Sequence, residues 1–210
     1  MEISLRLETE NDHRIVEELT REAFWNVYIP GCDEHLLIKN LRKTKKFMPD
    51  FDFVAEHDGK IVGNIVSMEA SVRNGGREYP VLTFGPVSVL PEYQKSGVGS
   101  KLVRHTIQLA KEMGYKAIII DGDIEYYGRF GFKVSREFRI TNKEKKYPAA
   151  LLVLELYPHA LDGIEGVFDE SAAYVIDEKE LAEFEKGFPQ KEKFSTESQK
   201  RFIELSNTYL

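Results

Sequence analysis

The segment that decides the fold is residues 87–100, which read VSVLPEYQKSGVGS. Its first residues alternate in the manner of a strand, and from Gly97 the pattern changes to that of an amphipathic helix. The first backbone N–H groups of a helix have no carbonyl partner within the helix, and the helix dipole favours an anion beside them. Glycine lets such an anion approach the backbone closely. The segment therefore predicts a phosphate-binding turn, and the alternative is a glycine-rich turn without a ligand.

Two other phosphate-binding motifs do not fit this spacing. A dinucleotide-binding G-x-G-x-x-G needs a third glycine where Leu102 stands, and the Walker pattern is missing because Ser100, not a lysine, directly follows Gly99.

The residues before this segment predict a strand, two helices and then three antiparallel strands. Residues 3–7 alternate as a strand, and Thr9-x-x-Asp12 starts a helix that Pro30-Gly31 breaks. We expect Ile15, Leu19 and Ala23 on one face of that helix and a second helix over residues 34–44. The predicted strands are 51–56, 61–72 and 81–90, with an Asp-Gly turn at 57–60 and an Asn-Gly-Gly turn at 74–76.

Gly85-Pro86 interrupts the third of these strands. Proline cannot donate to a ladder, so we expect a bulge there or one unpaired edge.

The residues after the turn complete a mixed domain. A helix covers 97–113, with Leu102, Val103, Ile107 and Ala110 on its apolar face and Gly114 after it. A strand at 116–121 reads as buried on both faces. A short helix at 125–129 and strands at 133–140 and 151–157 follow. The fold class is therefore α/β (α+β), with a mixed, mostly antiparallel central sheet and one parallel crossover, over residues 1–157.

Residues 158–210 form a C-terminal extension of different character. Two short helices are predicted in it, at 177–185 and 196–205. They could pack on the body, cap the substrate site or join a second subunit.

Charge is divided unevenly between these two parts. The net charge is −6, yet residues 1–158 hold 23 acidic and 23 basic side chains, and the extension holds 12 and 6. A neutral body argues against nucleic-acid binding. The stretch 39–46 has five basic residues in eight, and it is either a solvated helix face or a patch for an acidic partner or for phosphates.

Cys32 is the only cysteine, so neither an intramolecular disulfide nor a cysteine metal site can form. The longest aliphatic run, 149–154, is too short to span a membrane. We therefore expect a cytoplasmic protein that binds no metal and no membrane.

The full motif carries a family resemblance. Gln94-x-x-Gly97-x-Gly99, preceded by Val87-Ser-Val89-x-Pro91, resembles the acetyl-CoA signature of the GCN5-related N-acetyltransferases (GNAT). The segment 126–132, YYGRFGF, is similar to one found in a group of predicted N-acetyltransferases of that family. The resemblance covers about residues 1–157 and implies acetyl-CoA as cosubstrate.

The resemblance also implies how acetyl-CoA is held. In the family, the strand before the loop and the strand after the helix splay apart, and the pantetheine arm pairs with the freed backbone like an added strand. By position, Val87 and Val89 would make those contacts. The implied cofactor-binding residues are Val87, Val89, Gln94, Lys95, Ser96, Gly97, Val98, Gly99, Ser100 and Tyr127.

For the chemistry, the resemblance implies direct attack of a neutral amine on the thioester. Tyr127 is the expected general acid for the leaving thiolate, and the backbone N–H of Val89 is the expected oxyanion donor. The base is open: Glu69 and Asp123 are the main candidates, followed by Asp121 and Glu125. We discount His105 as outward-facing and Cys32 as lacking a His or Asp context.

The expected function is acetyl transfer to a small-molecule or peptide amine, in a monomer or a homodimer. The alternative is an acyl-CoA-binding sensor or scaffold without turnover.

Overall fold

A computed structural model describes residues 1–170 and 174–210 of the chain. The chain forms two compact units, each assembled from several segments. The first unit comprises residues 1–67, 85–103 and 174–200, and the second comprises 68–84, 104–170 and 201–210.

The first unit begins with antiparallel strands. Strand β1 (Ser4–Leu7) pairs with β2 (Phe53–His57), and β2 pairs with the first part of β3 (Lys60–Asn74). Asp58 and Gly59 turn between β2 and β3 with φ of 48° and 76°, which is the left-handed geometry of the predicted Asp-Gly hairpin turn. The unit also holds helices α1 (His13–Phe24), α2 (Glu34–Leu41) and α5 (Glu178–Glu185).

Helix α1 buries a different stripe from the predicted one. Ile15 is 48% exposed, whereas Val16, Leu19 and Thr20 are buried at i, i+3 and i+4 spacing. The predicted buried face was wrong because the apolar Ile15 is exposed, whereas the polar Thr20 occupies a core position of α1. Helix α1 also ends at Phe24, well before Pro30, and α2 ends at Leu41 rather than at residue 44.

A buried polar network lies beside α2. The guanidinium of Arg42 lies 2.5 Å from Glu8 and 3.5 Å from Glu17, and Asn64 donates to Asp52 at 3.0 Å. Burial is the main cause that raises the pKa of both Glu8 and Asp52. Arg42 therefore belongs to the interior, and the basic stretch 39–46 is not a continuous surface patch.

The second unit contains most of the mixed sheet. The later part of β3 forms a hairpin with β4 (Arg77–Val89), and β4 is parallel to β5 (Ala117–Asp121). Strand β8 (Leu151–Glu155) is antiparallel to β5 and to β6 (Lys133–Val134). Strand β9 (Gly166–Asp169) is antiparallel to β3 and parallel to β7 (Ile140–Thr141). The predicted fold class is confirmed.

Two features of this unit differ from the expectation. The predicted strand at 133–140 is interrupted, because Ser135–Phe138 forms a 3₁₀ turn and Arg139 has a φ of 55°. Strand β9 lies in the predicted extension yet adds to β3, and the domain boundary after residue 157 stays a prediction. The core of the unit consists of buried side chains from β3, β4, β5, β7, β8 and β9 and from the segment before β9.

The helices that follow β4 lie close to the positions that the sequence predicts. Helix α3 (Val98–Glu112) begins in the first unit and ends in the second, where Gly114 follows it with a φ of 79°. Helix α4 (Ile124–Tyr127) runs into a 3₁₀ turn at Gly128–Phe130. Both extension helices are present, as α5 and as α6 (Glu197–Asn207). In the described part of the chain, no helix is long and apolar enough to cross a membrane.

The Arg42 network yields a stability prediction. Arg42→Met leaves Glu8 and Asp52 buried without their cation, so it should lower the free energy of unfolding by about 3–5 kcal/mol. Glu8→Gln should cost less than about 1 kcal/mol, because Gln keeps the shape of the side chain and Arg42 still has Glu17 at 3.5 Å and Asp52 at 3.9 Å. Urea unfolding followed by circular dichroism measures both, with the exposed Lys200→Met as control. A loss under about 1 kcal/mol for Arg42→Met would contradict the assigned role.

Candidate acyl-CoA site and catalytic residues

The loop before α3 has the geometry of an anion site. A 3₁₀ turn at Pro91–Tyr93 leads into Gln94, and Lys95 and Gly97 follow with φ of 59° and 95°. Helix α3 then begins at Val98. The left-handed turn at Gly97 suits glycine because it has no Cβ.

The first amides of α3 are available to a ligand. The N–H of Lys101 donates to the carbonyl of Gly97 at 2.9 Å, so the amides of Val98, Gly99 and Ser100 precede the first helical bond. Gln94 to Gly97 are exposed, and Gly99 and Ser100 are half-buried. Val98 is buried, so an anion can reach the backbone from solvent at residues 94–97 and at the half-buried Gly99 and Ser100.

The loop is fixed by its own side chains. Gln94 Nε2 donates to the carbonyl of Val89 at 3.2 Å, and the Ser96 hydroxyl donates to the carbonyl of Tyr93 at 2.5 Å. Lys60 on β3 pairs with Glu92 at 3.1 Å and lies 5.5 Å from the Tyr93 ring centre. Gln94 thus ties the loop to β4 through its side chain.

The start of α3 is seated against β3 at Gly63. A Cβ at Gly63 would lie 2.9 Å from Val98 Cγ1 and 3.1 Å from the carbonyl oxygen of Ser88. Real Cβ atoms do not approach so closely, so only glycine lets the helix start and β4 lie this near to β3. Sequence patterns did not identify this glycine.

The end of β4 presents one free edge. The N–H of Leu90 donates to Val62 on β3 at 3.0 Å. Successive N–H groups of a strand point to opposite edges, so the N–H of Val89 points away from β3. Val87 and Val89 are half-buried, and between them Ser88 is buried with its hydroxyl 2.9 Å from that of Thr20 on α1.

In the described chain, β4 and β5 share the single register pair Leu82↔Ile118. Gly85 follows with a φ of 146°. This short register agrees with the strand separation that the resemblance implies.

Tyr127 lies at the end of α4 in an aromatic cluster of the second unit. Its ring is half-buried. The centre of this ring lies 6.0 Å from the ring centre of Phe84, 4.9 Å from that of Tyr126 and 5.6 Å from that of Phe132. A Cβ at Gly122 would lie 2.6 Å from two carbons of the Tyr127 ring. Gly122 thus lets the ring pack over the backbone after β5.

The predicted base candidates occupy different settings in the second unit. Asp123 caps α4 by accepting from the N–H of Glu125 at 2.9 Å, and Arg201 donates to it at 2.8 Å. Arg201 also pairs with Glu125 at 2.7 Å. Glu69 is exposed on β3, and Asp121 ends β5.

Glu170 is a carboxyl that the sequence did not single out. Burial and the charge of Asp121 raise the pKa of Glu170 to about 7. No local motif could have identified it, since its position follows from the pairing of β9 with β3.

Cys32 is buried, and burial raises the pKa of its thiol. His35 Nδ1 lies 3.5 Å from the Cys32 sulfur, so the expectation that no histidine accompanies Cys32 is wrong, but burial disfavours the thiolate that a nucleophile needs. Among residues 1–170 and 174–210, no cluster of three His, Cys, Asp or Glu side chains could hold a metal ion.

Comparison with known families gives a direct match. The profile of the acetyltransferase (GNAT) domain family matches residues 4–135, more than half of the chain. The chain belongs to this family.

Two proteins of Escherichia coli K12 are similar in sequence to the chain. The uncharacterized N-acetyltransferase YjhQ of E. coli K12 is 33% identical over 98 residues, which cover 46% of this chain and 54% of that protein. YhbS of the same strain is 24% identical over 165 residues, or 79% of this chain and 94% of YhbS. The chain thus spans about half of YjhQ and nearly all of YhbS.

Two solved structures are similar to the chain. YhbS from E. coli in complex with CoA has a TM-score of 0.72 at 23% identity, covering 82% of this chain and 91% of that one. A GNAT acetyltransferase from Brucella melitensis in complex with acetyl-CoA has a TM-score of 0.67 at 29% identity, covering 83% and 99%. The family and enzyme class that the motif predicted are confirmed, and one of these two relatives holds the expected cosubstrate, acetyl-CoA, while the other holds CoA.

The close approach at Gly63 can be tested by overpacking. Gly63→Ala places a methyl group against Val98 and should lower the free energy of unfolding by about 1–3 kcal/mol. The matched control is Gly128→Ala, where the nearest atom is 3.8 Å away. Thermal unfolding distinguishes them, and equal stability of the two variants would show that α3 does not depend on Gly63.

Proposed function

We propose that this GNAT protein transfers the acetyl group of acetyl-CoA to a primary amine by direct attack. The observation that carries the proposal is the exposed loop that ends in the amides of Val98, Gly99 and Ser100 at the start of α3. Relatives of the same fold are solved with CoA and with acetyl-CoA.

The chain would hold the cosubstrate mainly through its backbone. Amides from Lys95 to Ser100, including those of Ser96 and Gly97, receive the diphosphate with help from the α3 dipole, while the N–H of Gln94 is donated to the carbonyl of Pro91 at 3.2 Å. The edge of β4 at Val87 pairs with the pantetheine amides as a strand would, and Val89 holds the thioester end of the same arm through its N–H.

Two protein groups, the N–H of Val89 and the phenol of Tyr127, would act on the thioester. The amine nitrogen attacks the thioester carbonyl carbon, and the N–H of Val89 stabilises the resulting oxyanion. As the carbon–sulfur bond breaks, the sulfur takes the electron pair and the phenol of Tyr127 gives it a proton. Tyr127 regains its proton from water.

A carboxylate accepts the proton that the attacking nitrogen loses. We propose Glu69 or Asp123 for this step, directly or through a water. The ion pair of Asp123 with Arg201 gives Asp123 a second role as an anchor for α4. Glu170 is an added candidate, since a pKa near 7 suits a general base at neutral pH.

The setting would be cytoplasmic, because the buried thiol of Cys32 fits a reducing compartment. The acceptor would be a small molecule or a peptide N-terminus.

A thiol-release assay tests the proposal. The purified protein is mixed with acetyl-CoA and one of four amines: 1,4-diaminobutane, 2-phenylethylamine, L-lysine or a peptide with a free N-terminus. We expect release of CoA to rise above background with at least one amine. Tight acetyl-CoA binding with no thiol released by any amine would favour the sensor instead.

Substitution of the tyrosine tests the acid. Tyr127→Phe removes the proton donor and should lower kcat by about 10²-fold, with the KM for acetyl-CoA within about twofold of the original. Tyr126→Phe is the matched control and should leave kcat nearly unchanged. Equal rates for the two variants would remove Tyr127 from the mechanism.

A further inference from the structure

The loop between α1 and α2 is closed on itself by Asn26. This residue is 4% exposed and has a φ of 60°, in the left-handed region that asparagine tolerates better than most residues. Its N–H donates to the carbonyl of Gly31 at 2.7 Å, and its Oδ1 accepts from the N–H of Gly31 at 2.8 Å. We call residues 25–33 the α1–α2 loop.

The same side chain binds the C-terminal extension. Asn26 Nδ2 donates to the carbonyl of Glu192 at 3.1 Å, and Oδ1 also accepts from the N–H of Phe194 at 3.2 Å. The carbonyl of Asn26 accepts from Thr196 Oγ1 at 2.9 Å and from Gln199 Nε2 at 3.1 Å. We call residues 189–199 the strap. The strap thus binds both the side chain and the backbone carbonyl of Asn26.

Neighbouring residues add further hydrogen bonds between the α1–α2 loop and the strap. Trp25 Nε1 donates to the carbonyl of Glu192 at 2.9 Å, and the Ser198 hydroxyl donates to the carbonyl of Val27 at 2.8 Å. Two consecutive backbone carbonyls of the loop, those of Asn26 and Val27, therefore accept hydrogen bonds from side chains of the strap. A surface loop without such bonds would be free to change shape.

The start of the strap is itself anchored on α1. The buried guanidinium of Arg21 donates to both carboxylate oxygens of Glu185 at 3.0 and 2.9 Å and to the carbonyl of Pro189 at 3.1 Å. It lies 4.1 Å from the Trp25 ring centre. Glu185 also lies 2.7 Å from Nε2 of the buried His35 on α2.

The loop begins close to the strand that would hold the pantetheine arm. Thr20 on α1 contacts Ser88, which lies between Val87 and Val89. Trp25 follows the last residue of α1 and is five residues after Thr20, which corresponds to about 8 Å along a helix axis at 1.5 Å per residue. The α1–α2 loop therefore continues from the helix that contacts the strand proposed to hold the pantetheine arm.

We propose that the strap fixes the α1–α2 loop in the shape that receives the amine acceptor, with Asn26 as the positioning residue. This inference rests on the proposed acetyl transfer. It assigns part of the acceptor specificity to the C-terminal extension, although the strap residues need not touch the reacting atoms.

Substitutions on the loop and on the strap, made in the whole chain, test the hydrogen bonds between them. Asn26→Gly keeps a residue that tolerates the positive φ but removes every side-chain bond. Thr196→Val removes one strap bond, and Thr196→Ser keeps it. Asn207→Ala is the control, since Asn207 Nδ2 donates to the carbonyl of Ile203 within α6 at 2.9 Å.

Hydrogen exchange gives a readout that needs no catalysis. In Asn26→Gly the amides of Gly31 and Phe194 lose their acceptor and should exchange at least about tenfold faster, whereas Asn207→Ala should leave them unchanged. Thr196→Val should accelerate exchange of Gly31 more weakly, and Thr196→Ser should restore it. Unchanged exchange in Asn26→Gly would overturn the inference.

Steady-state kinetics decides the role in acceptor binding. With the panel amine that gives the fastest CoA release, Asn26→Gly and Thr196→Val should raise the KM for that amine by at least about fivefold, with the KM for acetyl-CoA within about twofold. An unchanged amine KM, or an equal rise in both KM values, would overturn the positioning role. If the original protein releases no CoA with any amine, the proposed function fails, while the exchange data still decide whether the strap holds the loop.

Discussion

The close packing of α3 against β3 at Gly63 is the constraint on which the site depends. Because a Cβ there would lie 2.9 Å from Val98, the absence of a side chain lets the first turn of the helix sit directly on the strand. The amides of Val98, Gly99 and Ser100 are then held in place while their hydrogen-bonding capacity stays unused by the helix. In the proposed function, a diphosphate would bind to amides that this packing holds in position.

The same principle recurs in the rest of the chain. The Tyr127 ring packs over Gly122 as the start of α3 packs over Gly63. In both places the missing Cβ of a glycine leaves the room that the helix start or the proposed acid occupies. Ser88 and Thr20 join β4 to α1 by a buried hydroxyl pair. The strap then joins the end of α1 to the C-terminal extension through Asn26. A helix, a strand edge and a loop in the first unit are therefore held by specific short contacts.

Much of this arrangement follows from local sequence rules. The Gly97 and Gly99 spacing, the Asp58-Gly59 turn and the buried strand β5 each depend on a few neighbouring residues, and all three are present. Other features depend on residues distant in sequence. The face of α1 is set by Thr20, a polar residue in a core position, and the burial of Arg42 by carboxylates from three other elements. The contacts of Gly63, Gly122, Glu170 and Asn26 have no signature in the sequence around them.

Amide NMR during a titration with CoA tests the central claim most directly. The account predicts that the largest shifts fall on the amides of Gly97, Val98, Gly99 and Ser100, while amides in the last turn of α3 barely move. Binding of CoA that leaves these four amides unshifted, or no binding at all, would contradict it.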